Sequence, residues 1–231
     1  MLIYGKQVVL HVLEKHPELI EEVMFSKTID KKLFSKFARL DKNIIILDNK
    51  KAQGLAGGGN HQGFFLKIKD IEPNSLQELK KMPFLLVLDG LNDVGNIGAI
   101  ARSAYSLGID GIILSGTNDF NIQAALRTSS GALFDIPFYH QKDIYSLANE
   151  LRQSDFYLLG ADVNGLDIET FKKQNNTNKL ALFLGNENMG FSRRLTKMLD
   201  KLVKISMKND FNSLNVSVAA GILMYELKAL K

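Results

Sequence analysis

Arg102 is the charged residue whose surroundings in the sequence most suggest a chemical role. From Asn96 to Ala104 the chain around it consists of glycine, alanine, serine and isoleucine. An arginine in such a helix either lays its aliphatic stem along a packed surface or directs its guanidinium at an anion, and the pattern leaves both interpretations open. We expect Asn96 to cap the start of this helix, because its side chain can accept hydrogen bonds from unpaired backbone amides.

A second polar loop has the sequence Gly185-Asn-Glu187-Asn-Met-Gly190. Its two glycines permit tight turns or the close approach of a ligand. Glu187 can either cap backbone groups or meet a cation such as Arg102. An ordinary connection between a strand and a helix is the alternative interpretation.

A third polar loop precedes the last helix. Val203, Ile205 and Met207 are predicted to end a strand, residues 209–213 form the loop, and Asn215 is a good helix N-cap. The helix that follows has two apolar faces, made of Val216, Ala219, Ala220 and Leu223, and of Val218, Ile222 and Tyr225. This pattern predicts a helix buried on both faces. Small residues in its first half let another backbone approach, so we expect a ligand to be held here.

The elements that position these loops alternate between strand and helix from Phe84 onward. Such alternation predicts an α/β fold with a mostly parallel sheet covered by helices on both faces. Ligands of these sheets lie beyond the carboxyl ends of the strands. The pattern of residues 1–70 predicts a smaller α/β domain. Residues 71–83 contain two of the four prolines and are predicted to form a linker to a second domain of residues 84–231.

The positive charge of the chain is concentrated at the front. Residues 1–70 contain 12 lysine and arginine residues and 8 acidic ones, whereas residues 71–231 contain 17 of each. This distribution favours an anionic partner docked partly by the first domain, although a solvated lysine-rich surface would have the same composition.

Several kinds of site are disfavoured. The chain has no cysteine, and its four histidines, at positions 11, 16, 61 and 140, are scattered, so we expect no metal and no histidine triad. His61 lies beside glycines and is expected to be a loop residue or an RNA contact rather than a metal ligand. Dinucleotide, P-loop and nucleophile-elbow motifs are missing. Neither a signal peptide nor an apolar run of about 18 residues is present, so we expect a cytoplasmic protein rather than a secreted or membrane-bound one.

Together the three loops resemble the SpoU (TrmH-like) family of RNA ribose 2′-O-methyltransferases, within the SPOUT class. The motif N-x-G-A-x-x-R is present as Asn96 to Arg102, the glycine–glutamate–glycine motif as Gly185 to Gly190, and S-L-N-V-S-V-A as Ser213 to Ala219. The front third resembles the substrate-binding domain of the 23S rRNA guanosine branch. Val94 and Ser206 stand where prolines are common in the family.

The resemblance implies a deep trefoil knot in the C-terminal domain and a homodimer with its active site near the interface. It also implies that S-adenosylmethionine (SAM) is the cofactor, held by backbone at Gly185, Ile205 and Leu214 with Met207 lining the same pocket. The substrate implied is structured RNA, most closely a guanosine of 23S rRNA or of its precursor particle. A tRNA substrate and a non-catalytic RNA-binding assembly factor are the alternatives, and a small-molecule nucleotide enzyme is a weaker one.

The same resemblance carries over a catalytic set, which consists of Asn96, Arg102, Glu187, Ser213 and Asn215. Methyl transfer to a ribose 2′-oxygen needs an in-line arrangement and stabilisation of charge that builds on that oxygen. Arg102 is expected to orient the adjacent phosphate and to stabilise this charge. It is a poor general base, because a guanidinium stays protonated in proteins. Glu187 and Asn96 are expected to hold it in place.

Overall fold

The structure is a computed structural model that describes residues 1–117, 120–174, 177–186, 189–208 and 214–228. Its internal contacts divide the chain into two compact units. The N-terminal unit consists of Met1–Glu72 and Asn121–Gly131, and the C-terminal unit of Pro73–Phe120 and Ala132–Lys231. The domain boundaries expected from the sequence, at residues 70 and 84, stay a prediction about where independently folding parts begin and end.

The strands and helices follow one another in alternation through most of the chain. The strands are β1 (Leu2–Tyr4), β2 (Ile20–Phe25), β3 (Asn43–Ile46), β4 (Phe64–Ile68), β5 (Phe84–Asp89), β6 (Gly111–Ser115), β7 (Phe138–Gln141), β8 (Tyr157–Asp167), β9 (Leu180–Leu184) and β10 (Lys201–Lys204). The α-helices are α1 (Lys6–Lys15), α2 (Lys31–Ala38), α3 (Asn49–Leu55), α4 (Leu76–Leu79), α5 (Val94–Leu107), α6 (Ile122–Thr128), α7 (Ile144–Arg152), α8 (Ile168–Gln174), α9 (Arg193–Thr196) and α10 (Val216–Leu227). Short 3-10 turns lie at Pro17–Leu19 and Ala132–Phe134.

The N-terminal unit is built on a four-stranded sheet in the order β1-β4-β2-β3. Strand β2 pairs parallel with β3, while β4 pairs antiparallel with both β1 and β2. Aromatic rings fill the space between the sheet and its helices. The Phe25 ring meets those of Phe37 and Phe64 edge-on, with centroids 5.1 and 5.6 Å apart.

The C-terminal unit is built on a six-stranded sheet in the order β10-β8-β9-β5-β6-β7, in which each neighbouring pair is parallel. Strands β6 and β9 are buried along their whole length, as is β5 up to Leu88. Burial on both faces requires covering helices on both sides of the sheet. The α/β fold class predicted from the alternation of elements is therefore confirmed.

One face of this sheet packs on α4, α7 and α9. Apolar side chains from these helices form a single core with alternate residues of the strands, among them Leu85, Val87, Ala181 and Phe183. Helix α10 packs instead against α5 and contacts α8. No helix in the described part of the chain is both long enough and apolar enough to span a membrane.

Three details of the C-terminal unit differ from the sequence predictions. Helix α5 is capped by Asp93, whose Oδ1 accepts from the Asn96 amide at 2.7 Å, so Asn96 lies in the first turn and is not the cap. Strand β10 ends at Lys204, which leaves Ile205 and Met207 in the following loop. The sequence pattern predicts a strand from Phe156 to Ala161, whereas β8 begins at Tyr157 and runs on to Asp167.

The prediction that α10 is buried on both faces is wrong for the single chain. Val216, Ala220 and Leu223 are buried. Val218, Ile222 and Tyr225 are 51%, 36% and 59% exposed, because the packing of α10 against α5 and α8 leaves these side chains uncovered. An exposed apolar face of this size is typical of an interaction surface.

Candidate functional site

Five of the predicted site residues lie in loops at one edge of the six-stranded sheet, namely Gly185, Ile205, Met207, Leu214 and Asn215. Residues 90–93 follow β5 and lead into α5, which carries the first motif with Asn96 and Arg102. Residues 185–192 follow β9 and contain the second motif, and residues 205–215 follow β10 and lead into α10 with the third. Because the sheet is parallel, the carboxyl ends of its strands meet at the same edge. The fold thus brings to one side segments that are more than a hundred residues apart in sequence.

Asn96 and Asn215 are joined directly across the two packed helices. Nδ2 of Asn215 donates a hydrogen bond to Oδ1 of Asn96 at 3.1 Å. The side-chain oxygen of Asn215, Oδ1, accepts a hydrogen bond from the Ser217 amide at 2.9 Å, as expected of an N-cap. A single side chain therefore starts α10 and fixes it to the first turn of α5.

A cavity opens between β8, β10 and α10. Its lining consists of Ala161, Asp162, Val163, Val203, Lys204, Ile205, Met207, Leu214, Ala219 and Leu223. Three of the four residues predicted to bind the cofactor, Ile205, Met207 and Leu214, thus line one cavity. Most of the lining is apolar, and the Asp162 carboxyl and the Lys204 side chain add one charge of each sign.

Part of this cavity wall comes from an irregularity in β8 that the sequence did not signal. Leu202 pairs with Gly160 and Val203 with Leu166, so residues 161–165 of β8 lie outside the regular ladder between β8 and β10. Ala161, Asp162 and Val163, which belong to this excursion, line the cavity. The cavity therefore depends on how β10 is seated against β8.

Gly165 permits this seating. A β-carbon at position 165 would stand 2.5 Å from the backbone nitrogen of Val203, closer than such contacts occur. The backbones of β8 and β10 can approach this closely only where no side chain is present.

Gly185 is not among the residues that line the cavity. A β-carbon there would lie 3.0 Å from the carbonyl carbon of Gly190 and 3.1 Å from the ring of Phe191, so a glycine is needed for packing within the loop itself. The next residue, Asn186, was not singled out from the sequence. Its Nδ2 donates to the Gly90 carbonyl at 2.9 Å and so joins the loops that follow β9 and β5.

Arg102 is exposed and lies in an open groove between α5 and α10. The groove is lined by Ala99, Arg102, Ser103, Ser106, Leu107, Gly221 and Tyr225. Within the described part of the chain, its guanidinium has no hydrogen-bond or ion-pair partner. The groove and the cavity share no lining residue, so the described residues of one chain place Arg102 in a different depression from Ile205, Met207 and Leu214.

Ser206 ties the loop after β10 to the end of β8. Its hydroxyl donates a short hydrogen bond to Oδ2 of Asp167, whose other oxygen accepts from the Glu169 amide at 3.0 Å. The bond from Ser206 is the main cause of a pKa for Asp167 below its ordinary value. The sequence marked Ser206 as a departure from proline but did not suggest this contact.

Asp89 ends β5 at the same edge of the sheet. Burial raises the pKa of its carboxyl, because the charged form loses hydration there. Two members of the predicted catalytic set, Glu187 and Ser213, lie outside the described residues. The structure thus places Asn96, Arg102 and Asn215 but not the whole set.

The architecture matches that of solved SpoU methyltransferases. The SpoU methyltransferase AviRb from Streptomyces viridochromogenes, solved in complex with the cofactor AdoMet, aligns over 99% of this chain and 89% of its own, with a TM-score of 0.80 and 22% identity. An rRNA methyltransferase from Sinorhizobium meliloti, also solved with AdoMet bound, aligns over 99% and 86% with a TM-score of 0.73 and 22% identity. At these identities the likeness concerns the fold.

Sequence comparisons identify relatives with a higher sequence identity than these structures. The 23S rRNA (guanosine-2′-O-)-methyltransferase RlmB of Escherichia coli K12 is 30% identical over 236 residues, which cover 97% of this chain and 96% of the relative. The family described as RNA 2′-O ribose methyltransferase substrate binding matches residues 2–74. The SpoU rRNA Methylase family matches residues 83–225, more than half of the chain. The chain therefore belongs to the SpoU rRNA methylase family.

Proposed function

We propose that this protein transfers a methyl group from SAM to a ribose 2′-hydroxyl of structured RNA, with a guanosine of 23S rRNA or of its precursor particle as the substrate. The observation that carries the proposal is the family match on both parts of the chain, together with nearly full-length similarity to a 23S rRNA guanosine 2′-O-methyltransferase. A reaction on ribosomal RNA takes place where ribosomes are assembled, and we therefore assign the protein to the cytoplasm.

The cavity between β8, β10 and α10 suits SAM. Apolar side chains such as Ile205, Met207 and Leu214 match a flat adenine ring, and the Asp162 carboxyl offers a negative charge to a cationic ligand. When bound, SAM supplies a methyl group on a positively charged sulfur. Asp162 is an addition to the predicted set, and Gly185 acts in this proposal by shaping the loop beside the cavity.

Arg102 provides the positive charge that the reaction needs at the RNA. Transfer would form a carbon–oxygen bond at the ribose 2′-oxygen, the donor would leave as the neutral thioether, and the hydroxyl proton would pass to solvent water. A guanidinium can bind a neighbouring phosphate through two parallel hydrogen bonds and stabilise negative charge on the reacting oxygen. Glu187 and Ser213 belong to the proposed catalytic set through the family motifs.

Asn215 and Asn96 set the geometry of this reaction. Their hydrogen bond fixes the start of α10 against α5, the helix that carries Arg102. A small error in such positioning slows the reaction strongly, since a displacement of about 1 Å can lower a rate roughly 10²-fold. We assign Asn215 and Asn96 the role of holding the two helices in register for catalysis.

Two chains are needed to complete the site in this proposal. The groove that holds Arg102 shares no lining residue with the cavity, and the exposed residues Val218, Ile222 and Tyr225 form an apolar face on α10, the helix that contributes to both. Pairing two copies through this face would bury it and would place the Arg102 groove of one chain at the interface. A homodimer therefore accounts for both observations.

The family resemblance also implies a trefoil knot, and we propose one here. The chain runs from the edge strand β10 through residues 205–215 to α10, which packs on α5. In a knotted arrangement this segment passes through the loop after β9. Close backbone contact at Gly165 and the small residues at the start of α10 are compatible with such crowding.

Residues 1–70 bind the RNA in this proposal, residues 71–83 connect, and residues 84–231 carry the methyl transfer. The excess of lysine and arginine lies in the first of these segments. Phosphate contacts made by these side chains should cause RNA affinity to fall steeply with salt concentration.

The test is methyl transfer from labelled SAM to unmodified 23S rRNA and, separately, to unmodified tRNA, followed by digestion to nucleosides and mass spectrometry. We expect 2′-O-methylguanosine from the rRNA. The same product from tRNA alone would support the proposed reaction but would show that the substrate is tRNA rather than rRNA. SAM binding without product from either RNA, or from precursor particles, would instead favour an RNA-binding assembly factor.

A further inference from the structure

A groove in the N-terminal unit has features that neither its sheet nor its core requires. It is lined by Phe25, Ser26, Lys27, Thr28, Ile29, Phe34 and Ile46, and it encloses about 480 Å³. This volume falls within the range of ligand pockets, roughly 300–1,000 Å³. The groove lies where β2 and β3 end, beside the start of α2.

Two large apolar side chains are exposed in this groove. Phe34 is 41% exposed and Ile46, on the edge strand β3, is 72% exposed. The Phe34 ring packs against Phe25 at a centroid distance of 6.5 Å, which fixes its orientation. A ring held on one side and exposed on the other is a stacking platform for a flat ligand.

The charge around the groove is positive. The segments that follow β2 and β3, residues 26–32 and 47–51, contain five lysines and two aspartates. Both aspartates serve as helix caps: Asp30 accepts from the Lys32 amide at 2.7 Å, and Asp48 accepts from the Lys51 amide at 2.8 Å. Lys27 lines the groove itself, with its Nζ 5.2 Å from the centre of the Phe64 ring.

The His61-Gln62-Gly63 loop adjoins the floor of the groove. The Ser26 amide donates to the Gly63 carbonyl at 3.1 Å, and the Ser26 hydroxyl lies 3.4 Å from Nδ1 of His61. Nδ1 of His61 also accepts from the Gly63 amide at 3.0 Å. In the neutral ring this arrangement leaves the proton on Nε2, which makes that nitrogen a hydrogen-bond donor.

We propose that this groove binds an unpaired nucleobase of the RNA substrate, stacked on Phe34 between Lys27 and Ile46, while the surrounding lysines contact the flanking phosphates. The inference rests on the proposed function, because it takes its ligand to be RNA. An aromatic ring framed by lysines matches single-stranded RNA, whose unstacked bases are accessible. A base inside a duplex cannot reach the ring, so the groove selects RNA with a loop or bulge.

The experiment compares full-length F34L, F34Y and the wild-type protein. Probes are a fluorescein-labelled 20-nucleotide single-stranded RNA of mixed sequence and the same strand annealed to its complement. F34L keeps an apolar side chain but removes the ring, so single-strand affinity should fall about 5- to 150-fold. F34Y keeps the ring and should bind like wild type, and neither variant should change duplex affinity.

Two further variants separate stacking from charge and from folding. I46T changes an exposed strand position and should weaken single-strand binding without lowering thermal stability. K27Q should weaken binding to both probes and reduce the salt dependence of affinity. L55A, at an exposed apolar residue of α3, is the matched control and should bind both probes like wild type. SAM affinity should be unchanged in all five variants.

Three results would overturn the inference. The first is wild-type single-strand affinity in both F34L and I46T, and the second is an equal loss of single-strand and duplex affinity in F34L. The third is a change of oligomeric state in F34L without RNA. The last would identify the groove as a protein interface. Failure of the proposed function gives a different pattern, in which the wild-type protein methylates no RNA. Normal methylation by wild type with normal binding by F34L and I46T would reject the groove alone.

Discussion

Gly165 and Val203 stand so close that position 165 has no room for a β-carbon, which would lie 2.5 Å from the Val203 nitrogen. This contact seats β10 against the irregular part of β8, from which one wall of the cavity is made. It is therefore the point at which a one-atom change should act on the cofactor site.

We expect G165A to lower the free energy of unfolding by about 1–3 kcal/mol, because overpacking forces the backbone apart. SAM affinity should fall as well, since the displaced β10 leads into Ile205 and Met207. Chemical denaturation and calorimetric SAM titration measure the two effects. G54A is the matched control, because a β-carbon at position 54 of α3 meets nothing within 4 Å. Wild-type SAM affinity in G165A would contradict the proposed place of the cofactor.

The hydrogen bond between Asn96 and Asn215 should matter for catalysis more than for folding. N215S keeps a good N-cap but is too short to reach Asn96, and N96A removes the acceptor while leaving the Asp93 cap intact. Each single variant should lower single-turnover methyl transfer about 10²-fold through mispositioning. The double variant should lose little more than either single one, because both remove the same contact. Additive losses would show that the two side chains act separately.

Arg102 should be needed for methyl transfer and dispensable for cofactor binding. R102A should leave SAM affinity near that of wild type and reduce the transfer rate roughly 10²–10³-fold, the loss typical of one preorganised donor. R102K keeps the charge but not the planar pair of donors, so its transfer rate should lie between those of wild type and R102A. Loss of SAM binding in a folded R102A protein would contradict the role assigned to the guanidinium.

The bond from Ser206 to Asp167 should make stability depend on pH. A carboxyl whose folded-state pKa is lowered contributes stability above its unfolded pKa and loses that contribution as the pH falls through the folded value. D167N should therefore be less stable than wild type at neutral pH, and the difference should shrink below about pH 4. Urea denaturation across this range measures it.

Ser206 itself offers a control for that prediction. S206A removes the donor and should reproduce part of the D167N loss. S206P installs the residue that the family resemblance leads us to expect at this position. We expect it to stiffen the loop without the hydrogen bond and to keep SAM affinity near that of wild type. Equal pH profiles for wild type and D167N would show that the contact contributes nothing to folding.

The exposed face of α10 should control assembly. V218E places a charge in the middle of this face and should shift the protein from dimer to monomer in light scattering measured across a concentration series. Because the proposed site needs both chains, methyl transfer should fall in parallel with the dimer fraction. L55E, on the N-terminal unit, is the control. A wild-type protein that is monomeric and active would reject the shared site.

The sequence predicted the C-terminal unit best where local signals were strong. A glycine after a helical pattern predicts a helix end, and Gly108 does end α5, in the left-handed conformation typical of a C-cap with φ of 73°. The start was misplaced by three residues, because Asp93 and Asn96 are both good caps and Val94 and Gly95 between them favour neither. The cap could be assigned only from the structure.

Other elements lacked a periodic signal. Helix α3 has the sequence Asn-Lys-Lys-Ala-Gln-Gly-Leu, with few apolar residues and an internal glycine, and its start depends on capping by Asp48. Strand β1 has three residues and is stabilised by its pairing with β4. Its position therefore depends on residues more than 60 positions away.

The candidate site was predictable only in part. Ile205, Met207 and Leu214 could be placed near one another from motif positions, and they line one cavity. The contributions of Asp162, Val163 and Asn186 could not be predicted, because they follow from the register between β8 and β10 and from a loop-to-loop hydrogen bond. Such features depend on long-range pairing and leave no local pattern.

The seating of β10 also has a consequence for synthesis of the chain. Strand β5, the first of its sheet, lies in the interior, while β10 is added at the edge and α10 follows it. During translation the earlier strands can pair as they emerge, but the walls of the cavity meet only after residues 216–227 have left the ribosome. In the proposed function, a polypeptide that lacks α10 therefore has no closed cavity in which to hold the methyl donor.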